Sequence, residues 1–88
     1  MSALATPHHT SIPSRLRAML AERLGLNEQD IADGLHLVDE LYVDSLDLVE
    51  IEIGVMETFG VELSEEDILT MQTVADLRTI VSNKLALL

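Results

Sequence analysis

Eighty-eight residues, 48% of them hydrophobic, fit one small domain with a real core and exclude a wholly disordered chain. Five Lys and Arg against 16 Asp and Glu give a formal net charge of −11, which repels phosphate backbones and anionic lipid faces and so argues against nucleic acid as the main ligand and against binding at an anionic membrane surface. Cysteine is absent, which removes disulfides, thiolate metal ligands and a side-chain thiol nucleophile.

Residues 1–10 (MSALATPHHT) are broken by Pro7 and show no period, so a flexible N-terminal tail is expected there. His8 and His9 are adjacent and lack convergent ligands, and a solvated, idle pair is the better reading. Residues 1–13 have no basic leader and no long apolar run, and no stretch approaches the ~18–20 apolar residues of a membrane span. A soluble, cytoplasmic protein is expected. With one Phe, one Tyr and no Trp, its core must be aliphatic.

A first helix is expected from Ser11–Ser14, with Pro13 suited to an early helical position. Leu16, Met19, Leu20, Arg23 and Leu24 step by three and four, and Gly25 stops the run. Arg15, Arg17 and Arg23 place three of the five basic residues on this element. Residues 25–43 mix turn formers (Asn27, Asp30, Asp33, Gly34) with apolar anchors (Ile31, Leu35, Leu37, Val38, Leu41), which describes a long loop with its own buried side chains and a helical turn within it. Loops of that length inside small domains are usually functional.

A second helix begins at Asp44–Ser45, with Asp44 as N-cap, Asp47 three residues on and Gly60 as terminator. Ser64, followed by Glu65, Glu66 and Asp67, starts a short third helix with acids at the positive end of its dipole. Thr73, with Asp76 at the capping-box position, starts a fourth, whose core face is Val74, Leu77, Val81, Leu85 and Leu88. No run alternates long enough for a strand. The expected fold is all-α: a small antiparallel four-helix bundle of three main helices and one short one, with a long first loop.

Projected at ~100° per residue, residues 45–59 carry two apolar stripes. Leu46, Val49, Ile53 and Met56 form one, and Leu48, Ile51, Val55 and Phe59 the other. Asp47, Glu50, Gly54 and Glu57 fill the sector between, with Glu52 alone on the far side. Either this helix is buried on both sides, or one stripe is offered to a partner as an apolar ridge flanked by acids.

Ser45 falls one residue past the N-cap, at a helix N-terminus that tolerates a phosphate. As a nucleophile of a self-sufficient enzyme it fits poorly. The local V-D-S-L-D is not a G-x-S-x-G elbow, nothing in the sequence brings His36 to it, and an oxyanion among so many carboxylates would be disfavoured. No catalytic residue is assigned. A calcium loop of the D-x-[DN]-x-[DN]-G type with a glutamate at its twelfth position is missing from both Asp30–Gly34 and Asp39–Asp47, so no metal site is assigned either.

The run Asp44-Ser45-Leu46-Asp47 followed by Val49-Glu50-Ile51 resembles the phosphopantetheine attachment motif of acyl carrier proteins. The likeness continues through Glu57-Thr58-Phe59-Gly60-Val61-Glu62-Leu63 and Thr73-Val74-Ala75-Asp76-Leu77, covering roughly residues 11–85 and implying an acyl-carrier-like domain over 11–88. The tripeptide D-S-L is weak alone; its position at a loop-to-helix junction, with both later caps in order, makes the whole specific.

The resemblance implies a carrier without catalysis of its own, with 4′-phosphopantetheine covalently on Ser45 and acyl intermediates held as thioesters in fatty-acid or related lipid or polyketide biosynthesis. It implies a phosphopantetheinyl transferase and acyl-transferring and acyl-modifying enzymes with basic docking patches as partners, and a monomer in solution. It puts Leu46, Val49 and Ile53, with Asp44, Asp47, Glu50 and Glu57, on the partner-facing side and Ile51, Val55 and Phe59 in the core. An aminoacyl or peptidyl carrier and an unmodified acidic adaptor for basic partners are the alternatives. Three residues depart from the family pattern. Tyr42 stands where a glycine is common and bears on which transferase or partner fits. Leu48 widens the exposed apolar surface. Glu52 lies near the acyl cavity, where an unpaired carboxylate is costly, so short or polar acyl groups are expected.

Overall fold

The computed structural model describes residues 11–87; the expected tail with His8 and His9, and the expected core residue Leu88, lie outside the described residues. Four α-helices follow one another: α1 (Ile12–Leu24), α2 (Ser45–Phe59), α3 (Glu65–Thr70) and α4 (Val74–Ala86). They form a small helical bundle, with no strand among the described residues.

Each helix begins on a polar cap. Ser14 donates its backbone N–H to the Ser11 hydroxyl, with Pro13 in the first turn where its missing N–H costs nothing. Asp44, Ser64 and Thr73 each accept from the third helical residue, whose carboxylate accepts the cap's own N–H in return. Gly25 and Gly60 end α1 and α2 with φ of 70° and 73°, a left-handed turn that glycine makes without steric cost.

The core is aliphatic. Leu16 and Leu20 of α1, Ile51 and Val55 of α2, and Leu77 and Val81 of α4 are fully buried, and Phe59 supplies its single aromatic ring. Helix α1 lies chiefly against α2, and α4 packs on both. Leu24 and Leu85, read from the sequence as core residues, are partly buried against this cluster.

Two expectations about α2 need correction. Gly54, placed by the wheel in the polar sector, is buried: a β-carbon there would lie 2.8 Å from the Met19 Cγ, so the missing side chain lets α1 approach. Leu48, expected to widen the exposed apolar surface, packs partly buried against the core.

The long loop is folded down rather than free. It contains one short 3-10 turn, Glu28–Asp30, and Ile31, Leu37 and Val43 are buried along it. Val38, expected as an anchor, is instead 54% exposed. The loop is tied to the start of α4 by three backbone bonds: Leu37 N–H to Gln72 O (2.8 Å), Val74 N–H to Leu35 O (3.1 Å) and Ala75 N–H to Asp33 O (2.8 Å). Arg17 Nε donates to Ile31 O at 3.1 Å, and Arg78 pairs with Asp33. The loop thus delivers residues 42–45 to a fixed place.

Candidate functional site

The candidate site is the mouth of α2. Val43 is buried and its N–H donates to Leu37 O at 2.9 Å, which pins the chain just before the helix. Asp44 then caps: the Asp47 N–H donates to Asp44 Oδ1 (2.9 Å), and the Asp44 N–H donates to Asp47 Oδ2 (3.2 Å). Because the aspartate caps, the Ser45 hydroxyl is not needed for those bonds. Ser45 is the first helical residue, is exposed, and its side chain makes no hydrogen bond among the described residues. Like the N-terminal N–H groups of any helix, those of Ser45 and Leu46 have no intrahelical acceptor, and the positive end of the dipole adds to them.

The two stripes of α2 part company. Ile51, Val55 and Phe59 are buried, whereas Leu46 is 76% exposed and Val49, Ile53 and Met56 lie between 40% and 49%. An apolar ridge therefore runs outward down the helix from Ser45. Beside its far end is an open cavity of about 300 Å³ with Ile53, Met56 and Leu63 as apolar lining and Glu52, Glu57 and Glu62 as carboxylates. Glu52 is half-buried at this cavity rather than sealed in the core.

All four acids read as partner-facing have donors within the chain. Asp44 and Asp47 serve the capping box, and Glu50 (3.0 Å) and Glu57 both pair with Arg23 of α1. Hydrogen bonding to Glu50, reinforced by the charge of Glu57, makes the Arg23 guanidinium hold its proton more tightly than a free arginine. Glu50 and Glu57 nonetheless keep 47% and 65% of their side-chain surface in solvent.

The same holds for every basic residue. Arg15 donates to Thr58 O and lies over the Phe59 ring (4.9 Å), Arg17 and Arg78 hold the loop, and Lys84 pairs with Asp67 at 2.8 Å. All five cations are spent on internal contacts, which leaves the outward field negative. The sequence reading missed this role of Arg23; its place among the apolar residues of α1, opposite a helix rich in glutamate, was the available signal.

His36 is occupied elsewhere. Its Nδ1 accepts the Asp39 N–H (3.2 Å), and its backbone bridges to Thr73. Among the described residues no three His, Asp or Glu side chains gather to hold a metal ion, and no helix is long and apolar enough to cross a membrane.

A family model described as the phosphopantetheine attachment site matches residues 14–81, most of the chain and all of α2. Proteins of that family bind 4′-phosphopantetheine covalently on a serine. The mouth of α2 suits such a group: an exposed hydroxyl free of capping, N–H groups for a phosphate, and a rim fixed by Val43 and Asp44. The chain belongs to the phosphopantetheine attachment site family and is a phosphopantetheine-carrying carrier protein.

Proposed function

We propose that the protein is an acyl carrier, with 4′-phosphopantetheine attached to Ser45, serving fatty-acid or related specialised lipid or polyketide biosynthesis and catalysing no reaction itself. The observation that carries this reading is the exposed Ser45 hydroxyl at the first position of α2, relieved of capping by Asp44. The Ser45 oxygen attacks the pantetheine-side phosphorus of coenzyme A. A new O–P bond forms, and adenosine 3′,5′-bisphosphate leaves. The serine proton goes to a base of the transferase, since His36 is bonded to Asp39. When bound, the group supplies a thiol on which acyl chains are held as thioesters, chemistry that a cysteine-free chain cannot offer.

The chain's own contribution is recognition and release. Leu46, Val49 and Ile53 give a partner an apolar ridge, and Asp44, Asp47, Glu50 and Glu57 surround it with acid. Such charge raises the rate of encounter with a basic docking patch without demanding a tight complex, which suits a protein that must leave each enzyme it visits. The same net charge of −11 makes two copies repel, in keeping with a monomer.

Glu52 at the cavity beside Ile53 and Met56 favours short or polar acyl groups over long chains. Protein loaded with short and with long acyl groups should differ in chromatographic retention, the long chain being the more exposed; equal shielding of both would contradict this preference.

Incubation with a phosphopantetheinyl transferase and coenzyme A should add one phosphopantetheine mass increment, and Ser45→Ala should abolish it. An unmodified acidic adaptor would show no mass change, and its partner binding would survive Ser45→Ala. Loading of an aminoacyl group in place of acyl groups would move the assignment to an aminoacyl or peptidyl carrier.

A further inference from the structure

Tyr42 is the one residue other than glycine with positive φ (59°) among the described residues. Glycine adopts that conformation freely, and Asn or Asp tolerate it; a bulky residue there is an outlier that calls for an explanation. The neighbours impose it. Leu41 donates its N–H to His36 O (3.1 Å), Val43 donates to Leu37 O (2.9 Å), and the Val43 side chain is buried, so the backbone between them cannot relax without breaking these ties. The ring gains little within the fold in return, because Tyr42 is 80% exposed.

Its surroundings suggest what it meets. Tyr42 precedes Ser45 by three residues, which bounds their Cα separation at ~11 Å. It and Leu46 are the largely exposed uncharged residues on either side of Ser45 in the chain, one on the loop and one on the helix. Asp39, Glu40 and Asp44 precede and follow Tyr42 in the chain and are exposed acids, so the ring is the nearest apolar surface that the loop offers before Ser45. A group attached to Ser45 lies within intramolecular reach of the ring, which raises their effective concentration.

We infer that Tyr42 is a positioning residue whose ring is the resting platform for the arm on Ser45, contacting its uncharged gem-dimethyl segment next to the phosphate. The inference rests on the reading of Ser45 as the attachment point. It gives the left-handed tyrosine a use: the ring restricts the root of the arm and so the directions from which its thiol is presented.

Tyr42 is the single tyrosine and there is no tryptophan, so tyrosine emission reports this ring alone. The protein is loaded with a phosphopantetheinyl transferase and coenzyme A, and loading is verified by intact mass. The two geminal methyl proton resonances should lie upfield of their positions in loaded Tyr42→Gly and stay upfield in Tyr42→Phe. Acrylamide should quench the wild-type emission less after loading than before. Tyr42→Asn, which tolerates positive φ, should behave as Tyr42→Gly and guards against a folding artefact. Methyl resonances at the same positions in wild type and Tyr42→Gly, with loading verified, would overturn the inference and leave Ser45 untouched. No mass gain at all would overturn the Ser45 reading, and this inference with it.

Discussion

Replacing Gly54 by alanine in the middle of α2 should destabilise the protein, although alanine is the better helix former by ~1 kcal/mol. The reason is Met19. A β-carbon at position 54 would sit 2.8 Å from the Met19 Cγ, and Met19 is itself 5% exposed, so its side chain has little room to retreat. Overpacking of this kind costs ~1–3 kcal/mol. Set against the gain in helix propensity, the net loss is about 1 kcal/mol, or a fall in Tm of roughly 4–8 °C for a domain this small. The sign should reverse once the obstacle is removed. Met19→Ala alone should cost ~2–5 kcal/mol through the cavity it leaves, and adding Gly54→Ala in that background should recover about 1 kcal/mol. The two substitutions would then be coupled by about 2 kcal/mol, within the range found for residues in contact. Urea unfolding of wild type, both single variants and the double variant measures the cycle. Gly54→Ala that stabilises the wild type by its full helix-propensity gain, additively with Met19→Ala, would refute the close approach of α1 and α2 at this point.

Two further outcomes follow from the charge distribution. With all five basic residues committed to internal contacts and a net charge of −11, the uncompensated carboxylates repel one another. The Tm should therefore rise with sodium chloride and with millimolar magnesium, and a midpoint indifferent to both would show that repulsion is unimportant. Asp76 accepts the Gln72 (2.9 Å) and Thr73 (3.1 Å) N–H groups, and these bonds hold its carboxyl below the usual range. A folded-state pKa below the unfolded value of ~3.9 contributes stability that is present above that value and lost as pH falls through the folded one. Asp76→Asn should be less stable than wild type at neutral pH and converge with it in acid; a constant gap across that titration would contradict the assignment.

The helix boundaries were legible because capping chemistry is local. Ser11, Asp44, Ser64 and Thr73 are side chains that accept from the backbone a turn ahead, and Gly25 and Gly60 take the left-handed turns. The exposed place of Ser45 at the head of α2 was legible for the same reason, since an aspartate cap beside a serine leaves the hydroxyl out of the capping bonds. Contacts between distant elements were not. A helical wheel counts glycine as featureless, and only the crossing of α1 turns Gly54 into a buried contact. Arg23 reads as one more polar position until α1 lies against Glu50 and Glu57, and Val38 reads as an anchor until the loop is tied to α4 by backbone groups that carry no side-chain signature. Tyr42 was visible as a departure from the family pattern, but its left-handed backbone depends on how Leu41 and Val43 are fastened.

Fragmentation mass spectrometry reads where on the chain the arm is attached. The chain has six serines: Ser2, Ser11, Ser14, Ser45, Ser64 and Ser82. After treatment with coenzyme A and a phosphopantetheinyl transferase, the fragment bearing Ser45 should carry a single phosphopantetheine, with the other five serines unmodified. An increment on the capping serines Ser11 or Ser64, or on no serine, would contradict it.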